Sequence, residues 1–394
     1  MKIAISGAGI AGLTLAYWLN RAGHEITVIE KASRPRTGGY VIDFWGAGYA
    51  IAERMGLAPA VQAAGYEVER VRLVDRRDRT VGGFPVVGFR RAMDGRFTSL
   101  PRGDLAELLY GAIAGNVETL FGDSVAAIDQ GDDGVRITLA QGECRRFDLL
   151  VGAAGVHSPV RALAFGPDSE FETSLGYSVA AFQATGYRPR DELAYVAYTE
   201  PGRMVGRFAL RDDRTMFVFV YTDDAFRDAE RSGLLGAEDV LRQVFGHAGW
   251  ESAQILAQLE HADDVYLDRV SQIVMDRWSN GRVALIGDAA SCVSLLAGEG
   301  TGLAMLQAYV LAGELCAAGG DYRKAFDRYE QLLCPLIEAK QRSAQRFAAA
   351  FAPRSKLGVW LRNQTSGLLR IPWLADWIIR REFRDDIELP NYAM

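Results

Sequence analysis

The first thirty residues constrain the fold more than any other stretch. From Lys2 to Glu30 the chain reads KIAISGAGIAGLTLAYWLNRAGHEITVIE. A β-rich run, Lys2–Ser6, meets the turn Gly7-Ala8-Gly9-Ile10-Ala11-Gly12. Apolar residues then recur at helical spacing from Leu13 to Arg21, and a second strand covers Glu25–Ile29. This is a complete βαβ unit in which each glycine has a mechanical reason. Gly7 permits the tight turn, Gly9 lets backbone N–H groups approach a pyrophosphate, and Gly12 lets the helix pack closely on the strand. The helix N-terminus faces the phosphates, so the Ile10 and Ala11 positions join the glycines as candidate contacts. Glu30 ends the second strand eighteen residues beyond Gly12. A carboxylate there can accept hydrogen bonds from the ribose hydroxyls of an adenosine and would repel a 2′-phosphate.

A chain of 394 residues is too long for one simple core, so about two domains are expected. Its net charge of −6 gives no reason to expect a nucleic-acid partner. No uncharged stretch reaches the roughly eighteen residues that a membrane-spanning helix needs. The chain starts directly on a strand without a secretion-type leader, which points to the cytoplasm. Cys144, Cys292, Cys316 and Cys334 lack metal-ligand spacing and there are only four histidines, so free thiols and no metal are expected. A monomer or homodimer is expected.

Further along, Lys31–Gly39 is a basic loop expected to close over the cofactor, leading into Tyr40-Val41-Ile42-Asp43. Helical spacing covers Trp45–Leu57, a strand covers Val68–Asp75, and Arg102-Gly103-Asp104 opens a helix to Ala114. Arg102 is then a cation placed to reach the cofactor. Four short runs, Val117–Phe121, Ser124–Asp129, Val135–Leu139 and Phe147–Val151, read as a β-meander. Phe171 to Tyr221 reads as a separate sheet, followed by two helices and the returning strand Val265–Val274. Arg282–Ile286 is a buried strand with Gly287-Asp288 at its carboxyl end, where open α/β sheets bind ligands. Gly298, Gly300, Thr301 and Gly302 open a long helix whose N–H groups offer a second anion site. The tail, Leu357 to Phe383, reads as a basic amphipathic stretch that docks on its own protein. Trp360, Trp373 and Trp377 are its expected anchors and its arginines are expected to face out.

Three separated motifs together resemble the single-component flavoprotein monooxygenases of the aromatic hydroxylase type. They are GAGIAG with Glu30, Asp148-Leu149-Leu150-Val151-Gly152-Ala153-Ala154-Gly155 with Arg161, and Gly281-Arg282-Val283-Ala284-Leu285-Ile286-Gly287-Asp288. The run TGGYVIDFWG, Arg102-Gly103-Asp104-Leu105, GWESAQIL and the ELPNY ending look most like the tetracycline destructases within that group. The resemblance implies an α/β fold with a Rossmann-like FAD-binding domain, a second, mainly β-sheet substrate domain, and C-terminal bridging helices. The expected division is 1–72, 99–170 and 275–345 for FAD, 73–98 and 171–274 for substrate, and 346–394 for the bridge. FAD would be held by Gly7, Gly9, Ile10, Ala11, Gly12, Glu30, Lys31, Asp43, Arg102, Asp288, Gly298, Gly300, Thr301 and Gly302. Asp288 would take the ribityl chain, and NADPH or NADH would visit without a domain of its own. No protein side chain is expected to be catalytic, because the chemistry is the flavin's.

The substrate would be a small aromatic or polyketide-like molecule, with a tetracycline-type antibiotic as the narrower guess. It would be met by Phe182, Phe208, Phe217 and Phe219 on the inward face of the middle sheet, among Tyr195, Tyr198 and Tyr221. The sequence departs from the family pattern at Ala154, where an Asp is usual, and at Val293 and Leu295, where prolines are usual. These departures keep open an FAD-containing non-redox enzyme, such as a cyclase, or a ligand-sequestering flavoprotein.

Overall fold

The computed structural model describes all residues except 36–39, 225–226, 228–235, 263–264 and 384–387, and leaves the side chains at 297, 345–349, 372 and 380–383 undescribed. The part of the expected cofactor loop at 36–39 and the outward placement of Arg380 and Arg381 therefore lie outside the described residues.

Two large sheets organise the chain. The first has six strands in the order β17 (Ser279–Asn280), β18 (Val283–Leu285), β11 (Leu149–Gly152), β1 (Lys2–Ser6), β2 (Glu25–Glu30) and β7 (Glu118–Phe121). All neighbours pair in parallel except β17 with β18. Parallel sheets are covered on both faces, and the central strands show it: Ile3, Ile5, Leu149, Val151 and Val283 have no exposed surface. Helix α1 (Ile10–Arg21) follows β1, and α2 (Gly46–Arg54) and α3 (Ala58–Ala64) precede the second sheet. Helices α4 (Val87–Ala92), α5 (Arg102–Ile113) and α6 (Pro159–Ala164) come next.

The expected four-stranded meander is a correction. Its first and last runs are β7 and β11, both in the parallel sheet, and only β8 (Val125–Gly131), β9 (Gly134–Leu139) and β10 (Cys144–Phe147) form an antiparallel trio. A continuous apolar run such as Leu149-Leu150-Val151 marks a strand buried on both faces, whereas a meander strand alternates.

The second sheet has seven strands in the order β16 (Tyr266–Ile273), β12 (Glu172–Thr185), β15 (Arg214–Thr222), β14 (Arg203–Ala209), β13 (Ala194–Glu200), β4 (Arg70–Val74) and β5 (Thr80–Pro85). A two-stranded ribbon, β3 (Val41–Trp45) with β6 (Phe97–Pro101), connects the two sheets. Trp45, expected to begin a helix, instead ends β3. One face of the second sheet lies under α7 (Ala237–Phe245) and α8 (Ser252–Ala257), and the other packs in part on the β3–β6 ribbon and α4. Beyond the short α9 (Asp288–Ser291), helix α10 (Gly300–Ala317) is apolar almost all round and runs through the interior against α1. Helix α11 (Tyr322–Phe351) leads to the tail helices α12 (Lys356–Ser366) and α13 (Pro372–Phe383).

The tail does pack back on the protein, but not through the expected anchors. The Ser366 hydroxyl accepts from the Gly83 amide on β5 at 2.9 Å, and Ala375 and Ile379 cluster with Ala92 on α4. Trp360, Trp373 and Trp377 are 57%, 71% and 56% exposed. The small residues sit on the packing face because α12 crosses β5 so closely that a Cβ on Gly82 would meet the Asn363 carbonyl at 2.7 Å. Bulky indoles do not fit between such closely spaced elements.

Candidate active site

At the carboxyl end of β1, Gly7 has φ of 116°, and a side chain there would strike the Ala153 carbonyl at 2.6 Å. A Cβ on Gly12 would lie 2.0 Å from the Gly7 carbonyl, so α1 sits directly on the turn. Above Gly9 the space is open, with the Arg102 guanidinium 4.0 Å from where a Cβ would stand. The amides at Ile10 and Ala11 lie in the first turn of α1, where backbone donors have no partner within the helix. Glu30 is buried, and its carboxylate accepts from Ala8 N at 2.8 Å and Ala32 N at 2.9 Å. It therefore ties the cradle to the end of β2. Lys31 is exposed on the bend that follows.

The far end of the chain meets this cradle. Gly287 has φ of 61° and approaches Ala11 so closely that its Cβ would lie 2.9 Å from the Ala11 methyl. Asp288 follows, half-buried, with the start of α10 against it: a Cβ on Gly300 would sit 3.7 Å from the Asp288 carboxylate. Burial pushes the Asp288 carboxyl up from its ordinary value, while the Arg102 charge and a hydrogen bond from the Cys292 thiol pull it back. Gly302 touches Gly48 on α2, Gly298 borders the Trp45 ring, and Thr301 is buried at 9% exposure. The trough runs from Glu30 over Gly9 and Arg102 to Asp288 and Gly300.

Buried hydrogen bonds fix the far wall. Gln307 accepts from Gly287 N at 2.9 Å and is itself held by Ser291 and by the Tyr329 hydroxyl. Arg161, with no exposed surface, donates to Ala289 O at 3.0 Å, to Val156 O and to Asp168 at 2.7 Å. Its role is thus to hold the Asp288 turn in place. At the missing prolines, Gln272 donates to the Val293 carbonyl at 2.7 Å, and Gln341 donates to Cys292 O at 3.2 Å. Hydrogen bonds fix a segment that a proline ring would otherwise stiffen. Arg161→Met should therefore lower stability by about 1–3 kcal/mol, because the Ala289 and Val156 carbonyls lose their donor while Asp168, partly exposed, is left to water. Urea unfolding measures it, and an unchanged midpoint would remove Arg161 from this role.

Two expectations about the site are corrected. Asp43 is engaged by Ser99 and by Tyr195 OH at 3.3 Å, so its carboxylate joins the ribbon to the second sheet. Burial pushes its carboxyl up from the ordinary value, opposed by those two hydrogen bonds. The aromatic stripe, expected on one inward face, divides between two. The β12–β15 and β14–β15 registers place Phe182, Phe217, Phe219 and Tyr221 on the side covered by α7 and α8, with Tyr198. These are core: Phe217 and Phe219 have no exposed surface, and Phe182 stacks 5.0 Å from Phe217. Phe208 and Tyr195 lie 4.6 Å apart on the other side, beside Met216 and toward the β3–β6 ribbon, and Phe208, only 1% exposed, is core as well. The cause is the two-residue period of a strand, which alternates Met216-Phe217-Val218-Phe219 between faces.

The cofactor-side face has a small-residue floor. Ala181, Ala197, Gly206 and Val218 occupy matching positions across four strands. Val218 and Ala197 are half-buried although their strand neighbours are buried, so the floor is open to a ligand. Sequence reading missed three residues here. Tyr266 on β16 lies 5.8 Å from Tyr40, whose hydroxyl burial pushes up to about 12 against the opposing Arg102 charge. Arg362 on α12 is half-buried with no hydrogen-bond partner for its Nε, and burial lowers it to about 10. The period-2 alternation could have separated Phe208 from Phe217, but nothing local encodes the pairing that brings Tyr40 to Tyr266.

A broad open cleft of about 1000 Å³ lies elsewhere, lined by Tyr66, Arg188, Arg190, Arg211 and Asp213 among others. Its charges are already paired, Arg188 with Asp213 at 2.8 Å and Arg190 with Glu192 at 2.9 Å, so the glycine trough is the stronger candidate despite its narrower form. Among the described residues no group of side chains could hold a metal ion.

This geometry defines a nucleotide-binding flavoprotein site: a buried carboxylate at the end of β2, an open glycine cradle at a helix N-terminus, and a second helix N-terminus beyond Asp288. Residues 1–339 match the family described as FAD binding domain, and the chain belongs to it. An uncharacterized protein of Mycobacterium tuberculosis is 39% identical over 348 residues, covering 86% of this chain and 91% of the relative. A flavin-dependent monooxygenase from an unknown prokaryotic organism is 35% identical, covering 86% and 87%. The crystal structure of tetracycline destructase Tet(51) superposes with a TM-score of 0.82 at 30% identity, covering 99% of both chains. The protein is an FAD-dependent monooxygenase. When bound, FAD supplies the redox chemistry, taking two electrons from NAD(P)H and passing one atom of O₂ to the substrate. The chain's own residues bind, orient and exclude water.

Proposed function

We propose that the enzyme hydroxylates a flat aromatic or polyketide-like molecule lying on the small-residue floor of the second sheet, with a tetracycline-type antibiotic as the first candidate. The observation that carries this reading is the half-open Ala197–Val218 floor, which lies on the face that meets the cofactor ribbon through Tyr195–Asp43 and Tyr266–Tyr40. A flat apolar ring system buries most area against such a floor. In this reading Gly7, Gly9, Ile10, Ala11 and Gly12 hold the pyrophosphate, Glu30 the adenosine ribose and Asp288 the ribityl chain. The N-terminus of α10 faces the flavin ring, and its dipole favours the anionic reduced flavin by roughly 0.3–1 kcal/mol, more where buried. Tyr266 and Arg362 border the substrate, and Arg362 suits an acidic phenol or enolate oxygen. The FAD-binding and substrate-binding parts meet at β4, the 346–394 segment bridges them, and the enzyme works in the cytoplasm.

Purified enzyme is mixed with NADPH or NADH and with tetracycline or simple phenols. Substrate-dependent NAD(P)H oxidation should accompany a product heavier by one oxygen. Equal NAD(P)H oxidation with and without every aromatic compound, and no oxygenated product, would contradict the reading.

A further inference from the structure

Among the described residues, eleven large apolar side chains are exposed, and seven of them lie between Leu357 and Trp377. Leu357, Trp360 and Leu361 are 70%, 57% and 53% exposed at the i, i+3, i+4 spacing of one face of α12. Trp373 and Trp377, at i and i+4, do the same on α13 at 71% and 56%. The opposite faces of these helices are already engaged, α12 with β5 through Ser366 and α13 with α4 through Ala375 and Ile379. The outward stripe therefore leaves a continuous apolar surface open to solvent. By sequence, residues 354–383 carry six basic and two acidic side chains in a chain of net charge −6, and five of the basic ones remain once Arg362, half-buried at the site described above, is set aside. One of those acids, Asp376, is paired with Arg91 at 2.8 Å. Lys356 is exposed next to Leu357 at the start of the stripe, while Arg354 lies over the Tyr177 ring and Arg370 donates to the Gly83 carbonyl, both keeping part of their surface exposed.

We propose that the outward face of α12 and α13 is a peripheral membrane-binding surface that lies on an anionic lipid bilayer. Three properties select this occupant. Exposed tryptophans suit the boundary between headgroups and acyl chains, where an apolar ring and a polar N–H are both accommodated. The local excess of Arg and Lys is complementary to an anionic leaflet. A two-fold pairing of the same face would instead bring two basic patches together. No described helix is long and apolar enough to cross a membrane, so the surface lies on the bilayer rather than spanning it. This inference is independent of the substrate reading.

The test is co-sedimentation of the full chain with phosphatidylcholine vesicles, with and without about one-quarter phosphatidylglycerol. The anionic vesicles should bind the protein with a blue shift of its tryptophan fluorescence, and raising salt from about 0.1 M to about 1 M should weaken binding. The triple variant Trp360→Ser, Trp373→Ser, Trp377→Ser should bind at least about tenfold less while keeping its flavin. Should that variant fail to fold, quenching of wild-type tryptophan fluorescence by brominated lipid reads the same contact. No sedimentation of the wild type, or no quenching, overturns the proposal. Tryptophan-dependent self-association in sedimentation velocity without vesicle binding also overturns it and assigns the face to a second copy.

Discussion

Gly12→Ala strips the enzyme of FAD. The added methyl would stand 2.0 Å from the Gly7 carbonyl and 3.2 Å from the Ile5 side chain, both inside the folded unit. Neither can yield, since Gly7 is backbone donating to Ile29 O at 2.7 Å and Ile5 is fully buried in the central strand. Helix α1 must therefore lift away from β1, and its first amides no longer converge above Gly9. Flavin content measured by absorbance should fall to about a tenth of the wild type or less. A variant as yellow as the wild type would show that the cradle tolerates a gap between helix and strand. Gly111→Ala, on the exposed side of α5 with nothing within 4 Å, is the control and should keep its flavin.

Phe217→Ala unfolds more easily but keeps substrate selectivity. Phe217 has no exposed surface and packs 5.0 Å from Phe182 and 4.9 Å from Tyr187, beneath α7 and α8. Deleting a buried ring typically costs about 3–5 kcal/mol through lost burial and the cavity left behind. The loss should appear in urea unfolding, while the KM ratio between two substrates stays constant because this face is turned from the cofactor. Tyr266→Ala, half-buried on the other face, should change that ratio. Altered selectivity in Phe217→Ala with an unchanged unfolding midpoint would reverse the assignment of faces.

These two residues also mark what the sequence reveals and what it hides. Gly12 is legible because the whole βαβ unit is local: strand, turn, helix and Glu30 follow within thirty residues, and their spacing alone demands the close approach. The Asp288 turn was legible for a similar reason, since a buried strand ends directly on Gly287-Asp288. Phe217 was misread because its partners lie on other strands, and only pairing decides which aromatic shares a face with which. Tyr40, Tyr266 and Asp43 are further cases, joined to partners 152 residues away or more by folding and not by spacing. The tail shows a different limit. Helical periodicity marks Leu357–Phe383 as one amphipathic stretch, which the structure breaks at Gly367–Arg370 into α12 and α13, and it could not say which stripe faces the protein, because the packing face is built from Ser366, Ala375 and Ile379 instead of the tryptophans.

The central claim is that the two ends of the chain build one flavin trough, with Asp288 completing a cradle that begins at Gly7. Flavin occupancy of purified Asp288→Ala against Asp132→Ala tests it most directly. Asp132 is exposed in the β8–β9 turn, and only its backbone carbonyl is engaged, by Arg282. The account predicts an occupancy about tenfold lower in Asp288→Ala, from loss of a half-buried hydrogen-bonding group, and unchanged flavin in Asp132→Ala. Equal occupancy in the two variants would contradict it.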